Sequence, residues 1–142
     1  MPDLAQVQDF LNRLHEKMRY HGPDHIIFEG YSGKPERDKN RQTLLVLNEQ
    51  GYGARDRIDT LFSLQAVDYY RGPFVNDNRD KTDKQTLDSG ELWEFGVWIK
   101  PKRGPKHEIY VKVQPGAENK IPVCISFHFP DKGRKISYPL RS

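Results

Sequence analysis

Glu94, Tyr110, Lys112 and His128 put a carboxylate, a phenol, a cation and an imidazole into the C-terminal third of this 142-residue chain. Cleavage of an RNA phosphodiester without a metal needs that combination. A base takes the proton from the 2′-OH, cations stabilise the phosphorane-like transition state, and an acid protonates the departing 5′ oxygen. Imidazole suits these transfers because its unperturbed pKa lies near neutrality. Each residue also has a plainer reading. His128, flanked by Phe127 and Phe129, would pack at a strand end, and the carboxylate would belong to an ordinary cross-strand ion pair. Trp93 and Tyr110 would then be amphipathic β residues; in the functional reading they are a stacking surface for an unpaired base.

Lys100, Lys102, Arg103 and Lys106 share a short span with Pro101 and Pro105. As a stiffened basic hairpin they would contact phosphate or dock a partner, and as a solvated turn they would do neither. Other signatures fail on spacing. Gly30-Tyr31-Ser32-Gly33-Lys34 has too few residues between its glycines for a P-loop and lacks the hydroxyl residue after Lys, and Gly51-Tyr52-Gly53 has no third glycine at dinucleotide spacing. His21 and His25 straddle Gly22-Pro23, which breaks the helix that would bring them to one face, so no metal site is expected there. No cofactor is expected. Cys124, the sole cysteine, has no activating neighbour in sequence and reads as core or sheet surface rather than as a nucleophile.

The elements that would position these groups follow from hydrophobic periodicity. Leu4, Val7, Leu11, Leu14 and Met18 predict a helix from Leu4 to Met18, capped by Asp3 and ended by Gly22-Pro23. His25 to Glu29 reads as a short buried strand and Gly30 to Glu36 as a turn-rich connection. A second helix is predicted over Asn40 to Gln50, with Gly51 past its C-terminus, and a third over Ala54 to Ser63. Asp68 to Pro73 reads as a short turn, and the polar stretch Asn76 to Gly90 as a long mobile loop. Four β runs follow, Leu92 to Ile99, Glu108 to Gln114, Ile121 to Phe129 and Lys135 to Leu140, in an antiparallel meander.

Period-two alternation assigns faces. Trp93, Phe95, Val97 and Ile99 would face the helices together with Ile109, Val111, Val113, Ile125, Phe127 and Phe129. Glu94, Gly96, Trp98, Tyr110, Lys112, Cys124, Ser126 and His128 would face away, leaving that side of the sheet for chemistry. The expected fold class is α+β: two or three helices on one face of a four-stranded, mainly antiparallel sheet, plus an extra N-terminal helix and short strand. All of it would form a single domain over residues 1–142, with a helical part to 66, a polar loop at 74–90 and the sheet at 91–140.

Composition sets outer limits. With 35% hydrophobic and 11% aromatic residues, the chain can build a core, and wholesale disorder is not expected. Its longest aliphatic run, Leu44 to Leu47, is far too short to cross a bilayer, and Met1-Pro2-Asp3 begins no export signal, so a cytoplasmic protein without membrane contact is expected. The net charge of +3 conceals an imbalance: residues 1–90 carry 13 Lys+Arg against 15 Asp+Glu, and residues 91–142 carry 10 against 5. A basic C-terminal third suits an anionic partner such as RNA or an acidic protein, and a solvated face gives a similar tally.

Four short blocks resemble, in order and spacing, those of the MqsR-like toxins of type II toxin–antitoxin systems, small bacterial ribonucleases with a RelE-like fold. Asp68-Tyr69-Tyr70-Arg71 is similar to that family's Asp-Phe-Tyr-Lys, and Leu92-Trp93-Glu94 to its Ile-Trp-Gln. Ile109-Tyr110-Val111-Lys112-Val113 resembles Val-Tyr-Leu-Lys-Ile, and Ile125-Ser126-Phe127-His128 resembles Val-Ser-Phe-Lys. The resemblance spans residues 58–129 and leaves the first 50 as an added helix and strand. It implies a metal-independent endoribonuclease toxin that cleaves messenger RNA, free or on the ribosome, and a cognate antitoxin as partner.

By the same resemblance Arg71, Glu94, Tyr110 and His128 take the family's cleavage positions. Glu94 stands where the family has an amide and His128 where it has lysine, giving a carboxylate and an imidazole able to divide base and acid work. Arg71 and Lys112 would hold the phosphate, Tyr110 would position the scissile group or stack a base, and the products would be a 2′,3′-cyclic phosphate and a 5′-OH. Trp98, Lys100, Lys102, Arg103 and Lys106 would contact the RNA. A non-catalytic RNA- or protein-binding module would use the same face, with Tyr110 and Trp98 as its stacking platform. An antitoxin-like or structural partner protein is a third reading, against which the well-patterned chain speaks.

Overall fold

The computed structural model describes residues 1–22, 26–28, 35–75, 91–116 and 121–142. Helix α1 (Leu4–His21) starts where Asp3 caps it: the carboxylate accepts from the Gln6 N–H at 2.9 Å, and the Gln6 side chain accepts from the Asp3 N–H at 2.9 Å. Its buried stripe is Val7, Phe10, Leu11, Leu14 and Met18, while Leu4, expected inside, is exposed and Phe10 takes its place in the core. Helix α2 (Pro35–Glu49) begins one turn before the predicted start, with proline at its first position, where no intrahelical N–H is needed. It ends as expected on Gly51 (φ 79°), with the Tyr52 N–H on Leu47 O and the Gly51 N–H on Asn48 O, a Schellman closure. Helix α3 (Ala54–Ser63) has its predicted bounds.

Among the described residues these three helices accompany a five-stranded mixed sheet, so the fold is α+β. Its strands are β1 (Ile27–Phe28), β2 (Tyr69–Val75), β3 (Glu91–Ile99), β4 (His107–Gln114) and β5 (Val123–His128), in the order β1-β5-β4-β3-β2. All neighbours are antiparallel except β1, which runs parallel to β5. This corrects the expected four-stranded sheet in three places, the first being that the short strand β1 joins it, parallel to β5. Tyr69–Val75 is a strand, not a turn, because its bonding to β3 continues through two register shifts around Gly72-Pro73. Lys135–Leu140 is not a strand. The expected loop from Asn76 to Gly90 and the connection from Gly30 to Lys34 lie outside the described residues, as do His25 and Glu29 of the first predicted strand.

The helix-facing side of the sheet forms the core as the alternation predicts. Trp93, Phe95, Ile99, Ile109, Val111, Val113 and Phe127 are buried in one core cluster with residues of all three helices, and Phe10 stacks on Trp93 with ring centroids 4.4 Å apart. Each such side chain contributes about 2 kcal/mol on burial. Beyond Cys124, no strand among the described residues lies on the outer side of β5, and α2 meets its backbone groups with side chains instead. Asn40 donates its amide to Ile125 O at 2.9 Å and accepts the Phe127 N–H at 3.0 Å, and Thr43 Oγ1 accepts the Phe129 N–H at 3.1 Å.

The segment after β5 runs as an irregular strap across the outer face of the sheet. Ile136, buried, and Tyr138 lie on Gly96 of β3 so closely that a Cβ there would stand 2.7 Å from either. Tyr138 donates to Glu108 Oε2 at 2.6 Å, and Arg141 reaches Asp68 Oδ1 at 3.1 Å with its guanidinium 3.8 Å from the Tyr138 ring centroid.

Candidate active site

Strand register arranges the outer face in rows. Arg71, Glu94, Lys112 and Ser126 lie side by side across β2, β3, β4 and β5; the next row is Gly96, Tyr110 and His128, and the one after is Trp98 and Glu108. The five residues expected to be catalytic therefore share two adjacent rows. Two devices make this possible. β3 and β4 pair without interruption from Trp93 to Ile99, so the alternation read from sequence holds there. On β2 a bulge places Arg71 opposite Glu94 although Tyr69, two residues earlier, faces Phe95 in the core.

Glu94 is the centre of the cluster. Its Oε1 accepts from Arg71 Nη2 at 2.8 Å and from the Tyr110 hydroxyl at 2.6 Å, and only 3% of the residue is exposed. The bond to Glu94 raises the Arg71 pKa, so this cation stays charged. Tyr69 is pushed up first by burial and then by the Glu94 charge. Tyr110 stands between the two groups able to move protons, with its hydroxyl on Glu94 and its ring stacked on the His128 imidazole at a centroid distance of 5.1 Å. His128, 2% exposed, lies 2.7 Å through Nδ1 from Phe129 O. A carbonyl only accepts, so Nδ1 carries the proton and the basic lone pair of the neutral ring is on Nε2. The Lys112 ammonium stands 6.0 Å from the Tyr110 ring centroid, half-buried beside the pair.

The structure brings together Arg71, Glu94, Tyr110, Lys112 and His128 and separates the expected RNA contacts from them. Trp98 is 55% exposed but stands on the far side of Gly96, where the strap crosses. The basic hairpin turns toward α2: the Arg103 N–H donates to Gln50 O at 2.8 Å, its guanidinium to Glu49 O at 3.0 Å, and His107 bonds the Gln50 side chain at 2.7 Å. Arg103 thus caps the helix C-terminus, where a cation meets the negative end of the helix dipole. Lys100 donates to Gly104 O within the turn, and Lys102 and Lys106 are exposed.

Cys124 departs from its expected face. The ladder passes from Lys112↔Ser126 to Val113↔Cys124, so Ile125 is an extra residue and Cys124 joins Val113 in the core, while Ser126 and His128 keep the outer face. Sequence reading also missed Tyr70 and Phe74, which flank Arg71 with their ring centroids 4.7 and 5.7 Å from its guanidinium carbon. Three aromatic residues within Tyr69–Phe74 were the signal for a strand there, outweighed by Gly72-Pro73. A surface groove of about 720 Å³ lies elsewhere, between the start of α1 and Pro73, Glu91 and Trp93; Asp3 and Asp9 on its wall suit a polyanion poorly.

Comparison of the chain with protein-family models, with curated proteins and with solved structures finds no match in any of the three. No helix among the described residues is long and apolar enough to cross a membrane.

Proposed function

We propose that the protein is a metal-independent endoribonuclease of the toxin class, with a RelE-like arrangement of its helices and sheet, that cleaves messenger RNA by attack of the 2′-OH. The observation that carries this reading is the convergence of two cations, a carboxylate, a phenol and an imidazole on adjacent rows of one sheet face. Oε1 of Glu94 is engaged by Arg71 and Tyr110, which leaves Oε2 to take a proton. His128, with its lone pair on Nε2, is the second proton carrier; one of the two takes the 2′-OH proton as base, and the other, entering the step protonated, gives its proton to the departing 5′ oxygen as acid. Arg71 and Lys112 supply positive charge where the transition state is most negative, and Tyr110 holds the two proton carriers in register. The partner of such an enzyme is an antitoxin protein, and the compartment is the cytoplasm.

The deciding experiment is incubation of the protein with a defined messenger RNA in excess EDTA, with mapping of cut sites and end groups. Discrete cuts ending in 2′,3′-cyclic phosphate, lost in Glu94→Ala and in His128→Ala, support the reading. The burial of Glu94 and His128 favours a second one, in which the network is structural and the face only binds RNA. In that case the wild type retains RNA on a filter and leaves it whole.

A further inference from the structure

We propose that Tyr70 and Phe74, on either side of Arg71, form a stacking subsite for one unpaired nucleobase next to the phosphate that is cut. The proposal rests on the ribonuclease reading and adds to it how single-stranded RNA lies on the face.

The double bulge in β2 is what builds the subsite. Between Arg71↔Glu94 and Phe74↔Leu92 the strand advances three residues against two, so Phe74 returns to the same face as Arg71 instead of pointing into the core. Gly72 makes the turn, at φ +112°, and a Cβ there would meet Leu92 O at 2.8 Å. The outcome is an aromatic ring 43% exposed beside a guanidinium, next to a buried carboxylate. Tyr70 is set edge-on to Tyr110, with centroids 6.5 Å apart, so the aromatic wall is continuous with the proposed catalytic rows. A phosphate on Arg71 places its neighbouring base within reach of a ring 5.7 Å from that guanidinium, and every base offers a π-face to stack. The opposite end of the face is closed, since Ile136 and Tyr138 cover Gly96. RNA therefore leaves the site toward Phe74 and not toward Trp98.

The test uses the full chain and a short single-stranded RNA carrying one strong cut site, together with a series in which each base near the cut is replaced in turn by an abasic residue. For the wild type, one abasic position raises KM about tenfold, the range expected for one base–aromatic stack. In Phe74→Ala and in Phe74→Leu, which retains apolar volume without a π-face, KM for the intact RNA rises by a similar factor while kcat is held, and the abasic effect at that position disappears. Tyr20→Ala, altered at an exposed ring on α1, reports any nonspecific loss. If the wild type cuts and the abasic effects are the same with and without the Phe74 ring, the subsite is overturned and the ribonuclease reading stands. If the wild type cuts no RNA, the reading fails and takes the subsite with it.

Discussion

Tyr138 donates its hydroxyl hydrogen to Glu108 across the outer face of the sheet, at 2.6 Å, and so fastens the strap to β4. Burial first, and then the bond to Glu108 and its charge, raise the Tyr138 pKa above its ordinary 10.0. A folded-state pKa above the unfolded value means that the contribution is fully present below pH 10 and is lost as the phenol is forced to ionise in alkali. Tyr138→Phe is expected to lower stability by about 1 kcal/mol at neutral pH and to flatten the decline of Tm above pH 10.

Gly96→Ala should act on the same strap from below. The new methyl would stand 2.7 Å from Ile136 and from the Tyr138 hydroxyl, so the strap must lift or the strand must shift. A loss of about 1–3 kcal/mol in denaturant unfolding is expected, with faster exchange of the amides of residues 134–142. Unchanged protection there would show that the strap does not depend on this contact.

Asn40 offers a test of the side-chain ladder along β5. Asn40→Asp turns the donor facing Ile125 O into an acceptor, whereas Asn40→Ala leaves both Ile125 O and the Phe127 N–H without this partner. Each change should cost about 2–3 kcal/mol, with Asp the worse of the two at neutral pH. An Asn40→Asp variant as stable as the wild type would show that the amide donor is dispensable.

His15 is buried between α1 and α3 and contacts Leu61 O through Nε2 at 2.8 Å. Burial lowers its pKa below 6.5, the Leu61 carbonyl opposes this, and Arg19 adds to it. With the folded-state value depressed, the unfolded chain binds the proton first, so stability declines as pH falls below 6.5. Measured as Tm against pH, that decline should be shallower in His15→Gln.

The basic hairpin divides by role. Arg103→Ala should cost about 1 kcal/mol of stability because it uncaps α2, without changing the salt dependence of the RNA binding proposed above. Lys102→Ala and Lys106→Ala, at exposed positions, should leave Tm unchanged. If these lysines touch phosphate, each removal lowers the slope of log K against log salt by about 0.7.

The parts of the fold legible in the sequence are those where one period runs without interruption. Val7, Leu11, Leu14 and Met18 mark one helix face, and β3 and β4 keep strict alternation, which is why Glu94, Tyr110 and Lys112 were placed correctly together. A bulge defeats such reasoning because one extra residue reverses every face beyond it. That is what moved Cys124 into the core and hid β2, with Tyr70 and Phe74, behind a Gly-Pro that reads as a turn. Ile136, Tyr138 and Leu140 alternate as a strand does, yet their partners are a glycine surface, a carboxylate and the core margin instead of another strand's backbone. Side-chain anchoring of this kind produces the same alternation as a strand, so periodicity does not separate the two.

The amide of Asn40 and the hydroxyl of Thr43 also have a consequence for how molecules meet. Past Cys124 they occupy the backbone groups that a visiting strand would need, and at the opposite margin the bulged, proline-bearing β2 offers no regular row of such groups. Among the described residues, both margins thus oppose strand addition by copies of the same chain or by an extended peptide, the commonest route from an exposed sheet to a fibre.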